Sequence, residues 1–230
     1  MAILKINHAV VMAAGRGMRM RPLTDSIPKA MAPIGQSTLI ANGINKLKNS
    51  IENVHITVGY KGAMLSKHVI EKDVSSVINT ESKGNAWWVY NSLLKNLQEP
   101  TWVLTCDNIV DLDFQALSEE YFDKECPACM IVPVKPISGI EGDYIIQDHA
   151  NKILEISRTN VSPIYCSGIQ VINPAKINMI TGESDNFNEV WKQLISQNEI
   201  ICAEKKLEKW ISIDDMNQLN LANTVSDDTI

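Results

Sequence analysis

The sequence has no apolar run close to the roughly 20 residues that cross a bilayer. Its opening residues, Met1-Ala-Ile-Leu-Lys-Ile-Asn7, carry no charged-then-apolar leader pattern. The expectation is a soluble, cytoplasmic protein with no membrane partner. No internal repeat or low-complexity tract is present, which leaves out solenoids and hexapeptide arrays. Positive charge is in short supply: Lys+Arg 21 against Asp+Glu 27 gives a formal net charge of -6. A non-specific nucleic-acid binder would carry a net basic face, so no nucleic-acid partner is expected. Cysteine is sparse and odd in number, with five residues: Cys106, Cys126, Cys129, Cys166 and Cys202. That pattern points to reduced thiols. Cys126-Pro-Ala-Cys129 has CxxC form, but zinc wants a second ligand pair, which is missing. A redox pair wants a strand-to-helix turn, whereas this one runs straight into the apolar Met130-Ile-Val132. Packing is the favoured reading for the pair.

What is present is enough apolar residue, 45% of 230, to bury a substantial core. The chain is organised around His8-Ala-Val-Val-Met-Ala-Ala-Gly-Arg-Gly-Met-Arg-Met-Arg-Pro-Leu-Thr24, followed by Pro28-Lys29. An apolar run, Ala9 to Ala14, reads as a fully buried strand because it lacks polar alternation. It stops at Gly15 and Gly17, and Arg16, Arg19, Arg21 and Lys29 follow. A strand running into a glycine-rich, arginine-bearing loop brings backbone N–H groups and cations onto phosphate. Arginine adds a planar fork of donors suited to phosphate oxygens.

The rest of the first half alternates. Helices are expected at Leu39 to Leu47, around Met64 to Val69 and at Asn85 to Leu97. Strands are expected at Val54 to Val58, Val74 to Ile78 and Trp102 to Thr105. Such alternation gives a parallel sheet with ligands at the carboxyl ends of its strands. The loops at Gly15, Gly59, Asn79–Gly84 and Asp107 all fall at those ends. The second half reads as strands at Ala128 to Val134, Tyr144 to Gln147, Ile153 to Ser157 and Tyr165 to Ile172, with few helices between them. Helices return at Pro174 to Ile180 and Phe187 to Gln197. Short strands follow at Ile200 to Glu204 and Trp210 to Ile213, and Asp214 is placed to cap a last helix. The expected fold class is α/β: a Rossmann-like, mostly parallel central sheet with helices on both faces, plus a small antiparallel lid. The expected organisation is one domain over 1–225, with halves 1–112 and 113–225, and a polar tail at 226–230.

Two common phosphate motifs fail here. A dinucleotide-binding loop wants a third glycine opening a helix and an acid about twenty residues on, but Arg19 and Pro22 stand instead. The lysine-serine ending of a P-loop is also missing. The whole string Ala-Ala-Gly-x-Gly-x-Arg-Met-x-Pro-Leu-Thr, with Pro-Lys close behind, resembles the signature of the sugar nucleotidylyltransferases, also called NDP-sugar pyrophosphorylases. The resemblance implies a GT-A-like nucleotidyltransferase fold. Ala13, Ala14, Gly15 and Gly17 would bind nucleotide, and Arg19 and Lys29 would be the catalytic cations. Met18 stands where a Thr or Ser is common. Asn79 and Gly84 have the family's base-reading spacing, and Asn85-Ala-Trp-Trp88 replaces the familiar continuation. Of Trp87 and Trp88, one is expected in the core and one at the site edge.

Leu104-Thr-Cys-Asp-Asn-Ile109 resembles the family's strand-ending Gly-Asp-Asn, which makes Asp107 a magnesium ligand. Mg²⁺ is the implied cofactor, since it takes oxygen donors and keeps one or two carboxylates. Ser212 occupies the place of the second carboxylate in many sugar enzymes. Asp214, with Asp215 as the alternative, fits the Trp-x-x-Ile-Asp pattern of the phosphocholine-type cytidylyltransferase branch. For the acceptor, Glu141-Gly-Asp-Tyr144 supplies Asp143, Arg158 stands where a phosphate-binding lysine is common, and Ser167-Gly168 matches a short strand motif. The implied reaction is Mg-dependent transfer from a nucleoside triphosphate to a sugar 1-phosphate, releasing pyrophosphate, in cell-surface glycan precursor synthesis. The alternatives are a cytidylyltransferase acting on a non-sugar phosphomonoester and a nucleotide-binding protein without catalysis. The base and the oligomeric state stay open, a homo-oligomer included.

Overall fold

The computed structural model describes residues 5–136, 142–207 and 210–227. The chain divides into two compact units built from discontinuous segments. One comprises Ala9–Lys83, Leu104–Ile109 and Ile211–Ile230; the other comprises Met1–His8, Gly84–Val103 and Val110–Trp210. The expected tail at 226–230 falls mostly outside the described residues.

In the first unit the buried strand His8–Met12 neighbours Asn53–Val58, which pairs in parallel with Ser76–Asn79. Val10 and Ile56 are fully buried, as runs without polar alternation require. The helix Leu39–Lys48 begins where the Thr38 side chain accepts from Ala41 N at 3.2 Å. It buries Leu39, Ile40, Ile44 and Leu47 and ends with Lys46 and Lys48, favourable at a helix C-terminus. Gly62–Ile70 forms the second helix, burying Leu65 and Val69. A separate apolar cluster joins Met20, Ala32, Ile34 and Leu39 to Ile213, Leu219 and Ala222. It ties the C-terminal helix Met216–Asp227 to the segment that follows the glycine-rich loop.

In the second unit, Cys129–Val134 is buried along its whole length. It pairs antiparallel with Tyr165–Ile172 and parallel with Ile200–Cys202. Tyr165–Ile172 also pairs antiparallel with Thr101–Thr105. Tyr144–Gln147 and Ile153–Ser157 form an antiparallel pair beside it. The helix Phe187–Ser196 buries Phe187, Val190, Trp191 and Leu194 on one stripe. Trp191 Nε1 and the Cys129 thiol both donate to Gln170 Oε1, at 2.9 and 3.2 Å, so this buried amide oxygen is satisfied.

Three expectations need correction. Asn85 to Leu97 is not one helix: Trp87–Asn91 is α-helical, Ser92 adopts φ -105 and ψ 174, and Leu93–Asn96 is a 3-10 turn. The Ser92 hydroxyl accepts from Leu94 N, a local bond that competes with helix continuation. Leu93, which falls at the break, is 95% exposed. Second, Phe114–Asp123 is a helix where none was expected, although Phe114, Leu117 and Tyr121 fall at i, i+3 and i+7. Its buried face includes a serine, Ser118, whose hydroxyl turns back to Phe114 O; a second signal is the Asp113 cap accepting from Ala116 N at 2.9 Å. Third, Asp215, not Asp214, caps the last helix: its Oδ1 accepts from Gln218 N at 2.9 Å.

Candidate functional site

The glycine-rich loop is fixed from beneath. Ala13 N donates to both Thr57 O and Thr57 Oγ1, and Tyr60 N donates to Ala14 O. A Cβ at Gly59 would lie 2.8 Å from Ala14 O, so that approach requires glycine. Further on, Thr24 Oγ1 donates to Gly17 O at 2.9 Å, and Tyr60 Oη donates to Thr24 O. Gly17 has φ +61, and a Cβ there would sit 2.7 Å from Lys29 Cβ. Gly15 is different: a Cβ at that position would meet nothing within 4 Å. No packing contact requires this glycine, and the space over its backbone is open.

Met12, Gly15, Gly17, Met18, Arg19, Lys29, Thr105, Cys106, Asp107 and Asp214 enclose a cavity of about 290 Å³. Cys106 N donates to Met12 O, which places Asp107 just past the end of the neighbouring strand. Lys29 Nζ donates to Asp107 Oδ2 at 2.5 Å and to Asp214 Oδ1 at 2.8 Å. Arg19 reaches the same Asp214 oxygen at 3.0 Å, and Ser212 Oγ donates to Asp214 Oδ2 at 3.0 Å. Asp214 N and Asp215 N both donate to Gln218 Oε1, so the last helix orients this carboxylate.

The two cations differ in worth. Arg19 is 73% exposed, and such a pair contributes at most about 1 kcal/mol. The Lys29 side chain is 11% exposed, and breaking a buried pair by deleting one partner costs about 3–5 kcal/mol. Burial alone would depress the Lys29 ammonium, but Asp107 and Asp214 outweigh it and hold its pKa above the ordinary lysine value. Burial pushes the Asp214 carboxyl up, and Lys29, Ser212 and Arg19 outweigh that, leaving it below the usual carboxylate range. Burial, with Asp107 adding to it, pushes the Cys106 thiol well above its usual range, so this site cysteine is held as a neutral packing group.

Asp107 and Asp214 form an all-oxygen pair converging on one position that already accommodates a cation, the Lys29 ammonium. Two carboxylates are the number magnesium takes when phosphate oxygens and water complete its shell. The donor set therefore fits a hard divalent cation. Among the described residues there is no cluster of three or more His, Cys, Asp or Glu side chains that could hold a metal. For the CxxC pair, Cys129 is buried and its thiol is raised by burial, the opposite of a reactive thiolate.

The remaining candidates sit elsewhere. Asn79 is exposed at the end of its strand, and its side chain accepts from Glu81 N at 2.9 Å. Gly84, in the second unit, is glycine for a packing reason: a Cβ there would lie 2.0 Å from Asp185 O. Ala86 N donates to that same carbonyl and Phe187 N donates to Asn85 Oδ1. Trp88 is buried and Trp87 half-buried. Asp143 and Arg158 meet at 3.0 Å. Ser167 Oγ donates to Val132 O at 2.6 Å, and Gly168, at φ +79, lies within a register shift of its strand. Glu141 lies outside the described residues. The second unit also holds a larger open groove of about 610 Å³, walled by Gln147, Glu155, Asn160, Val161, Ser162 and Lys206 among others. It lacks the convergent ions of the smaller cavity, because both Glu155 oxygens accept from Asn160.

Gln218 is the residue that the sequence did not single out, and Ser212, noted only as standing in the place of a carboxylate, turns out to support Asp214 through its hydroxyl.

Residues 8–156 match the Nucleotidyl transferase family. The chain belongs to that family. It is 27% identical over 164 residues to the bifunctional protein GlmU of Methanococcus aeolicus, a match covering 67% of this chain and 36% of that protein. It is 27% identical over 158 residues to the 2-aminoethylphosphonate cytidylyltransferase of Lancefieldella rimae, covering 66% and 61%. The chain thus spans about a third of the first relative and less than two thirds of the second. Among solved structures it superposes on the CTP:phosphocholine cytidylyltransferase LicC of Streptococcus pneumoniae with a TM-score of 0.72 at 19% identity, covering 95% of this chain and 98% of that one. That likeness carries the fold: a mixed sheet with a mostly parallel centre, surrounded by helices.

Proposed function

We propose that the chain is a divalent-metal-dependent nucleotidylyltransferase that joins a nucleoside triphosphate to a phosphorylated small molecule and releases pyrophosphate. The observation that carries this reading is the buried Lys29 ammonium between Asp107 and Asp214, beside the open backbone at Gly15. A sugar 1-phosphate is the first acceptor class, the one implied by the resemblance of the glycine-rich signature, and glycan precursor synthesis in the cytoplasm is the matching role. The second reading is cytidylyl transfer to a non-sugar phosphomonoester. It is favoured by the use of Asp214 in the cation cluster while Ser212, two residues earlier, only donates to it, and by the cytidylyltransferase relative.

The reaction needs no covalent intermediate; it is positioning and charge neutralisation. An acceptor phosphate oxygen attacks the α-phosphorus, the bond to the bridging oxygen breaks, and pyrophosphate leaves with that electron pair. The backbone from Ala13 to Gly17 holds the polyphosphate, with Gly15 allowing close approach. Arg19 is exposed enough to swing onto a phosphate, and Lys29 offsets charge at the α-phosphorus. Asp107 and Asp214 would hold Mg²⁺, which when bound neutralises phosphate oxygens. Asn79 and Gly84 lie on the segment proposed to read the base. Asp143, Arg158, Ser167 and Gly168 line the strands proposed for the acceptor, with Arg158 on its phosphate.

The test is pyrophosphate release with Mg²⁺ for each nucleoside triphosphate against a panel of sugar 1-phosphates and small phosphomonoesters. Turnover with a sugar phosphate supports the first reading, and turnover only with CTP and a non-sugar phosphate supports the second. Binding without turnover across the panel leaves a nucleotide-binding protein and sinks both.

A further inference from the structure

The ions of the cavity satisfy one another before any ligand is present. Lys29 and Arg19 face Asp107 and Asp214, two cations against two carboxylates, so the cluster is close to neutral. Lys29 is the member that is buried and touches both carboxylates at once. Two carboxylates converging on one point with no cation between them repel and resist ionisation together. Asp107 and Asp214 lie about half the chain apart in sequence, and Ile213 N donates to Asp107 O at 3.0 Å, so backbone brings the two carboxylates together and leaves their like charge to be balanced.

We propose that Lys29 is the resident counter-ion of this pair: it balances the charge of Asp107 and Asp214 until a divalent cation takes its place, and is then released toward phosphate. The proposal rests on the reading of the two aspartates as metal ligands. Its consequence is a coupling. A divalent cation arriving alone must displace a buried ammonium that pairs, among the described residues, with Asp107 and Asp214 alone, in surroundings where charges interact strongly. A polyphosphate arriving with the cation gives Lys29 and Arg19 new partners. Each ligand therefore tightens the other, and by linkage the effect is reciprocal.

The experiment measures Mn²⁺ binding to the nucleotide-free protein by water-proton relaxation, with and without inorganic triphosphate, and follows melting temperature alongside. In the unsubstituted protein Mn²⁺ alone binds weakly, and triphosphate tightens it about tenfold or more. Lys29→Met binds Mn²⁺ alone about tenfold more tightly than the unsubstituted protein, and most of the triphosphate effect disappears. It melts lower without metal and recovers with it. Lys29→Met that binds Mn²⁺ no more tightly overturns the proposal. If that variant does not fold, the unsubstituted protein labelled with ¹⁵N-lysine decides. The Lys29 ammonium resonance shifts over the Mg²⁺ concentrations that saturate the site, and saturation with the resonance unmoved overturns the proposal. Tightening in a protein that transfers no nucleotide keeps the counter-ion role and ends the transferase reading. Transfer without tightening does the reverse.

Discussion

In the unit carrying the glycine-rich loop, the side chains singled out by motif meet each other. Arg19, Lys29, Asp107 and Asp214 come from four separate places in the chain and end within hydrogen-bonding distance. In the other unit only Asp143 and Arg158 do so, on an exposed edge where the arginine side chain is 80% accessible. There Ser167 spends its hydroxyl on a backbone carbonyl, and Gly168 serves a strand irregularity. The two motif glycines Gly15 and Gly84 make the same contrast. One faces open space, and the other is pressed against Asp185. A motif match therefore says that a residue type is required, while the surroundings say whether a ligand or the fold requires it.

The sharpest break of that contrast is Lys29→Ala. Turnover in the pyrophosphate assay should fall about 10³-fold, comparable to losing a preorganised stabiliser of developing charge, with far-ultraviolet circular dichroism showing a folded chain. Near-normal turnover would remove the lysine from the chemistry and leave the two units alike.

Next in size is the glycine pair. Gly84→Ala should destabilise the protein by about 2 kcal/mol in urea unfolding, because backbone has to move to admit the methyl group. Gly15→Ala should stay within about 0.5 kcal/mol of the parent while weakening nucleoside triphosphate binding in calorimetry. The opposite pattern would exchange their roles.

The pH dependence of stability probes the ion cluster alone. The lowered pKa of Asp214 contributes stability that is complete above the ordinary carboxylate value and is lost as pH falls through the lowered one. The raised pKa of Lys29 contributes stability that is complete below the ordinary lysine value and is lost as pH rises through the raised one. The melting difference between the parent and Asp214→Asn should be flat from about pH 5 to about pH 9 and shrink outside that window. A difference that varies with pH inside it would place the relevant charge elsewhere.

The smallest effect belongs to Arg158→Gln. Its exposed ion pair is worth less than about 1 kcal/mol, so melting should barely change. The KM for the acceptor should rise with the KM for nucleoside triphosphate unaltered. Equal effects on both would take Arg158 out of the acceptor site.

Much of this was legible from the chain. The strands His8–Met12, Asn53–Val58 and Thr101–Thr105 announce themselves through short runs rich in β-branched and apolar residues that are buried on both faces. Phe187–Ser196 shows its apolar stripe openly. Phe114–Asp123 shows a thinner stripe of Phe114, Leu117 and Tyr121, interrupted by Ser118, which satisfies its hydroxyl internally. The long helix expected after Asn85 fails at Ser92 for a local hydrogen bond that no periodicity count registers.

By itself the sequence determined the α/β alternation and the glycine-rich loop, which are properties of residue type and spacing along a chain. Resemblance to a family signature added Arg19, Lys29 and Asp107 as candidates and left Asp214 and Asp215 as alternatives. Tertiary structure decided which aspartate faces Lys29 and which caps a helix. It decided that Gly15 opens onto a cavity while Gly84 does not, and that Ser212 supports Asp214. Each of those outcomes depends on distances between residues far apart in sequence, fixed only when the apolar cluster around Met20, Ile213 and Leu219 brings the C-terminal segment to the loop.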